Sequence, residues 1–119
     1  MEDTVDEFWE KRGKGNEKIM DFGRKNINRF LNLDTNVYRE GKLSRKTKEL
    51  LGLVSSLVLR CDDCIKYHLV QCKKEEITKE EIREALSIGL VVGGSITIPH
   101  LRKVVDFWEK LENKNLKEW

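Results

Sequence analysis

Apolar residues recur every third or fourth position along most of this chain, and its single proline, Pro99, stands at the start of one such stretch rather than inside it. That period lines apolar side chains along one face of an α-helix, whereas a half-buried strand would alternate strictly. Thr4 is placed to cap a first helix carrying Val5, Phe8 and Trp9, with Gly13 and Gly15 as its stop. From Asn16, the positions Ile19, Phe22, Ile27, Phe30 and Leu31 predict a second helix reaching the neighbourhood of Gly41, with a break near "NLDTN". Ser44 reads as the cap of a third, whose buried stripe holds Leu50, Leu51, Val54, Leu57 and Val58. A fourth starts at the cysteine pair Cys61 and Cys64. Thr78, with Glu81 three residues later, forms a capping box ahead of Ile82, Ala85 and Leu86. After a break at Gly93 and Gly94, a last helix carries Leu101, Val104, Val105, Trp108 and Leu111, and Pro99 is tolerated in its first turn.

The expected architecture is therefore all-α, a compact bundle of about six helices in a single domain over residues 1–119. A chain of 119 residues with 39% hydrophobic content builds one modest core and covers it incompletely, which favours self-association.

Two stretches carry β signals. "LVVGGSITIP" sets a glycine pair between β-branched flanks, as in a hairpin, and "LVSSLVLR" ahead of the cysteines could be a strand. Together they would describe a thioredoxin-like βα unit with Pro99 as its cis-proline. Such a sheet needs further strands, and the chain beyond Pro99 offers an amphipathic helix followed by "ENKNLKEW", with nothing left to pair.

The 23 basic and 21 acidic residues nearly cancel and alternate along the chain, and runs such as "KKEE" and "TKEEIRE" read as solvated helix faces. No basic footprint for nucleic acid emerges. No apolar run approaches the roughly 20 residues needed to cross a bilayer, and "MEDTVDEFWEKRGKG" is too acidic and broken for a signal peptide. A cytoplasmic protein with neither membrane nor nucleic-acid partners is expected.

All three cysteines and one of the two histidines fall in "CDDCIKYHLVQC", residues 61–72. In a reducing compartment, two cysteines three apart point to metal or thiol chemistry rather than a disulfide framework. If Cys61 opens a helix, then Cys61, Cys64 and His68 occupy positions i, i+3 and i+7 on one face. Cα atoms three apart in a first turn are about 5 Å apart, within disulfide range. Unpaired N–H groups and the positive end of the helix dipole there favour a thiolate, and an imidazole four residues on rises about 6 Å and can exchange protons with it. Zinc is the competitor, with Cys61, Cys64, His68 and Cys72 as four nominal ligands. On one helix Cys61 and Cys72 are about 16 Å apart in rise, whereas zinc bonds converge at about 2.0 to 2.3 Å, so a single-helix site cannot close. No metal site is expected, save one recruiting His100 or a second subunit.

The same residues resemble the alkylhydroperoxidase D-like branch of the carboxymuconolactone decarboxylase superfamily, over about residues 43–111. Its pattern is a Glu, eleven intervening residues, then C-x-x-C-x-x-x-H, which reads here as Glu49, Cys61, Cys64 and His68 in "ELLGLVSSLVLRCDDCIKYH". The "T-x-x-E-I" helix start at residues 78–82 and the Gly93, Gly94 pair also follow it. The resemblance implies an all-α, alkylhydroperoxidase D-like fold that self-associates as trimers or hexamers. It implies a thiol pair that reduces a small-molecule hydroperoxide and is re-reduced by a dithiol partner, a lipoyl- or thioredoxin-like protein. By carry-over, Cys64 attacks the peroxide and Cys61 resolves the sulfenic acid, giving a redox-active disulfide Cys61–Cys64 with no bound cofactor. Glu49 and His68 form the proton relay, since a departing oxygen needs a proton and a histidine beside a carboxylate moves one near neutral pH.

Two positions depart from the family. A His just before the second Cys is replaced by Asp63, whose charge opposes a thiolate at Cys64. A Gly where the cysteine helix ends is replaced by Glu76. The remaining distinctive residues are read structurally. Cys72 is a buried inert thiol and Tyr67 flanks the site. His100, at a helix start, could reach the pocket, but a surface or capping role is favoured, and Trp9, Trp108 and Trp119 with Phe8 and Phe107 anchor the core or a subunit contact.

The chain thus reads as a thiol-dependent hydroperoxide reductase or related disulfide oxidoreductase. Two other classes compete. A lactone-decarboxylating enzyme would need no redox cysteines, and a non-catalytic oligomeric binding module would show ordinary thiols.

Overall fold

The computed structural model describes residues 4–116 and contains five α-helices: α1 (Val5–Val37), α2 (Arg45–Leu59), α3 (Asp62–Lys74), α4 (Lys79–Gly93) and α5 (Ile98–Glu112). A 3₁₀ turn, Ser95–Thr97, joins the last two, and no strand occurs among the described residues. The expected all-α class holds, and the expected count of about six does not. Gly13 and Gly15 lie inside α1 with open space around them. A glycine costs a helix only about 1 kcal/mol, which strong neighbouring turns absorb, so the two predicted N-terminal helices become one. Its interruption falls at Arg24, with φ 51° and ψ −130°, while "NLDTN" stays helical. A side chain on the preceding Gly23 would run into Ile27, so this step requires a residue without Cβ.

The described residues form two units that divide between Arg39 and Glu40. The first is α1, capped by Thr4, whose hydroxyl accepts the Glu7 N–H at 3.1 Å. Its exposed residues include Ile19, Phe22, Phe30, Leu33 and Val37.

In the second unit α2 packs on both α3 and α4, and α3 packs on α5. Leu53 and Leu57 of α2, Ile65, Leu69 and Val70 of α3, Ile82 and Leu86 of α4, and Val104, Phe107 and Leu111 of α5 are buried and form its core. Each start signal has its cap. Ser44 Oγ accepts the Thr47 N–H at 3.1 Å, and Thr78 and Glu81 make the reciprocal bonds of a capping box. The stretch "LVVGGSITIP", despite its hairpin signal, is the end of α4, where Gly94 at φ 82° terminates the helix and the turn leads Pro99 into the first turn of α5.

Two tight reversals set the ends of the cysteine-bearing helix α3. At the end of α2, Arg60 adopts a left-handed conformation, φ 60° and ψ 39°. The Arg60 N–H bonds to Leu57 O and the Cys61 N–H to Ser56 O, the pair of bonds of a Schellman closure. At the end of α3, Glu76 (φ 59°) does the same, with its N–H on Lys73 O and the Ile77 N–H on Cys72 O. Glu76 thus holds a left-handed conformation at some steric cost, which leaves the geometry of this turn defined without a glycine.

Candidate active site

The Arg60 reversal hands the chain from α2 to α3 in two residues, so Cys61 becomes the N-cap of α3. Its sulfur accepts the Cys64 N–H at 3.2 Å, and its carbonyl accepts the Ile65 N–H at 2.9 Å. Cys61 and Cys64 form a disulfide with Cα atoms 5.3 Å apart. Cys64 is exposed and Cys61 half-buried. The sulfurs therefore occupy the first turn of a helix, where backbone N–H groups and the helix dipole favour negative charge.

One turn further along α3, His68 is 7% exposed, and Glu49, from the first half of α2, is 1% exposed. Glu49 Oε1 lies 2.9 Å from His68 Nδ1. A carboxylate that deep requires partners, and the imidazole is the nearest. Arg45 supplies the second: its Nη2 is 3.9 Å from Glu49 Oε2 and donates to Gln71 Oε1 at 3.4 Å, while its Nε lies 3.5 Å from Glu75. The Tyr67 ring meets the imidazole edge-on at 5.2 Å between centroids, flanking the site as expected.

The residues singled out in the sequence thus come together as two pairs, a disulfide at the start of α3 and a carboxylate–imidazole pair whose imidazole lies one turn further along α3 and whose carboxylate comes from α2. Asp63 is exposed, where water screens its charge from Cys64. Cys72 is a free thiol with no exposed surface, and burial, reinforced by Glu49, Glu75 and Glu81, pushes its pKa up. Phe8, Phe107 and Trp108 are buried and Trp9 is half-buried, while Trp119 lies outside the described residues.

His100, half-buried at the start of α5, reaches across to α3. Its Nδ1 lies 2.6 Å from Asp62 Oδ1, and Lys103 Nζ donates to Asp62 Oδ2 at 2.7 Å, so α5 grips the first residue of α3. Burial alone would raise the Asp62 pKa, but the hydrogen bonds from His100 and Lys103 outweigh it and hold the carboxyl below its ordinary range. Sequence reasoning missed this cluster and Arg45. Arg45 had a local signal, four residues ahead of Glu49 on one helix face. The Asp62 to His100 contact spans 38 residues and had none.

The sequence profile of the carboxymuconolactone decarboxylase family matches residues 26–107, which include all four of these site residues. An uncharacterised protein of Cupriavidus necator is 27% identical over 73 residues, 61% of this chain, and the match spans 65% of that protein's length. Uncharacterised protein 4 in the cox locus of Paracoccus denitrificans is 26% identical over 83 residues, covering 70% of this chain and 75% of that one. A crystal structure of a Thermotoga maritima protein superposes with a TM-score of 0.88 at 61% identity, over 89% of this chain and 93% of that one. Another Thermotoga maritima crystal structure matches with a TM-score of 0.83 at 60% identity, over 89% and 90% of the two chains. It is described as a carboxymuconolactone decarboxylase family protein with a suggested involvement in the antioxidative response. The apo form of a protein of that family from Legionella pneumophila shares the fold, with a TM-score of 0.83 at 21% identity over 92% of this chain and 97% of that one.

Proposed function

Because the chain belongs to the carboxymuconolactone decarboxylase family and carries a disulfide at the start of the helix whose His68 pairs with the buried Glu49 of α2, we propose that it is a thiol-dependent hydroperoxide reductase. The observation that carries this reading is the placement of an exposed sulfur in the first turn of α3 with that proton-carrying pair one turn on. The suggested antioxidative involvement of the Thermotoga maritima relative points the same way.

In the reduced protein, the Cys64 thiolate attacks the terminal oxygen of a hydroperoxide. The O–O bond breaks, Cys64 becomes a sulfenic acid, and the departing alkoxide takes a proton from His68 to leave as an alcohol. Glu49 holds Nδ1, so proton exchange runs through Nε2 of the ring. The Cys61 thiol then displaces water from the sulfenic acid, re-forming the disulfide. A dithiol, from a lipoyl- or thioredoxin-like partner, returns two electrons and two protons. The setting is the cytoplasm, where such reductants are held reduced. The protein works as a homo-oligomer, a trimer or hexamer, and the exposed Phe22, Phe30 and Leu33 of α1 with Val91 and Val92 of α4 supply apolar surface for such contacts.

The test is peroxide consumption with a dithiol donor by the parent, Cys61→Ser and Cys64→Ser. Loss of turnover in both variants supports the reading, and a Cys64→Ser protein as fast as the parent overturns it. A lactone-decarboxylating relative would keep its activity in both.

A further inference from the structure

Asp62 sits next to Cys61 in sequence and is the first residue of the helix whose cap is that cysteine. A bare carboxylate there would repel a thiolate on Cys61 and cancel part of what the helix start provides. The protein does not leave it bare. His100 and Lys103, one turn apart on α5, bond to its two oxygens at 2.6 and 2.7 Å, and the carboxylate is about one-third exposed. Arg60 and Asp63, the other charged residues adjacent to a cysteine of the pair in sequence, are opposite in sign and exposed to water.

We propose that the Asp62–His100–Lys103 cluster is a charge-setting device for the Cys61–Cys64 couple, in which Lys103 and His100 are positioning residues that offset the Asp62 charge and so stabilise the Cys61 thiolate formed when the disulfide is reduced. This rests on the pair being redox-active. In the step concerned, a thiolate of a small dithiol attacks the exposed Cys64 sulfur and forms a mixed disulfide. The S–S bond breaks and its electron pair goes to Cys61, which leaves as the thiolate. The second thiol of the reductant, once deprotonated, displaces Cys64, and the two protons given up by the dithiol end on Cys61 and Cys64. With the Asp62 charge offset, less repulsion acts on a thiolate at the adjacent Cys61, which makes it the better leaving group and shifts the equilibrium toward the dithiol form.

Charge makes a prediction that simple bracing does not, because removing opposite members of the cluster must have opposite effects. Oxidised parent, Lys103→Ala, Lys103→Arg and Asp62→Asn proteins are equilibrated against dithiothreitol redox buffers, and the reduced fraction is read by thiol alkylation and mass spectrometry. Lys103→Ala moves the equilibrium toward the disulfide by about threefold or more and Asp62→Asn moves it toward the dithiol by a similar factor. Lys103→Arg restores the parental value. Shifts of the same sign in Lys103→Ala and Asp62→Asn, or no shift in either, overturn the proposal. Peroxide consumption by the parent separates the two readings: turnover without the opposed shifts removes only the charge-setting role, and opposed shifts without turnover remove only the peroxidase.

Discussion

Glu49 Oε1 and His68 Nδ1 meet at 2.9 Å although they come from different helices and lie 19 residues apart in sequence, and both side chains are almost wholly withdrawn from water. The substitution Glu49→Gln keeps volume and a hydrogen-bonding group but removes the carboxylate that holds His68 Nδ1. Peroxide turnover is expected to fall about 100-fold with the fold intact. Glu49→Ala leaves a buried imidazole nitrogen without its partner and lowers stability by about 1–3 kcal/mol, read from urea denaturation. Parental turnover in the Gln variant would remove this pair from the mechanism.

Arg60 and Glu76 hold left-handed backbone that glycine adopts without steric cost. Glu76→Gly is expected to raise stability by about 0.5–1 kcal/mol, since the Schellman bonds are made by the backbone. Arg60→Gly should do likewise and leave the cysteine geometry unchanged. A lower denaturation midpoint in both would show that these side chains contribute more than their backbone strain costs.

Cys72 has no exposed surface and a raised pKa. In the native reduced protein, iodoacetamide is expected to modify Cys64 and Cys61 and spare Cys72, which reacts only after denaturation. Mass spectrometry of the alkylated peptides decides it, and native labelling at Cys72 as fast as at Cys64 would contradict the burial.

The Asp62 carboxyl is held below its ordinary range, so the folded state favours its charged form. A depressed acid contributes stability above its unfolded pKa of about 3.9 and loses it as pH falls through the lower folded value. The carboxylate is partly exposed, which limits the contribution to about 1 kcal/mol or less. The stability difference between parent and Asp62→Asn should therefore hold near pH 5 and close toward about pH 2. A gap that widens on acidification would reverse the sign of the interaction.

Much of this structure is legible in the sequence because its signals are local. Ser44, Thr78 and Glu81 announce helix starts through bonds to N–H groups three residues away, and Glu49, Cys61, Cys64 and His68 follow a fixed spacing. The N-terminal helix is misread from sequence because Gly13 and Gly15 are breakers only by average preference, whereas the real interruption depends on the close approach of Gly23 and Ile27. The left-handed turns at Arg60 and Glu76 are hidden by residues that rarely adopt that conformation. The grip of α5 on Asp62 is invisible because nothing in the spacing of residues 62, 100 and 103 reveals that two helices meet there.

The reversal that turns the chain from α2 into α3 is closed by main-chain bonds: Arg60 to Leu57, Cys61 to Ser56, and Ile65 back to Cys61. None of them runs through the sulfurs, and a bridge between residues only three apart restrains little of the unfolded chain. The oxidised and reduced proteins should therefore be nearly superimposable, and a partner would sense the change as chemistry at one spot rather than as a new shape.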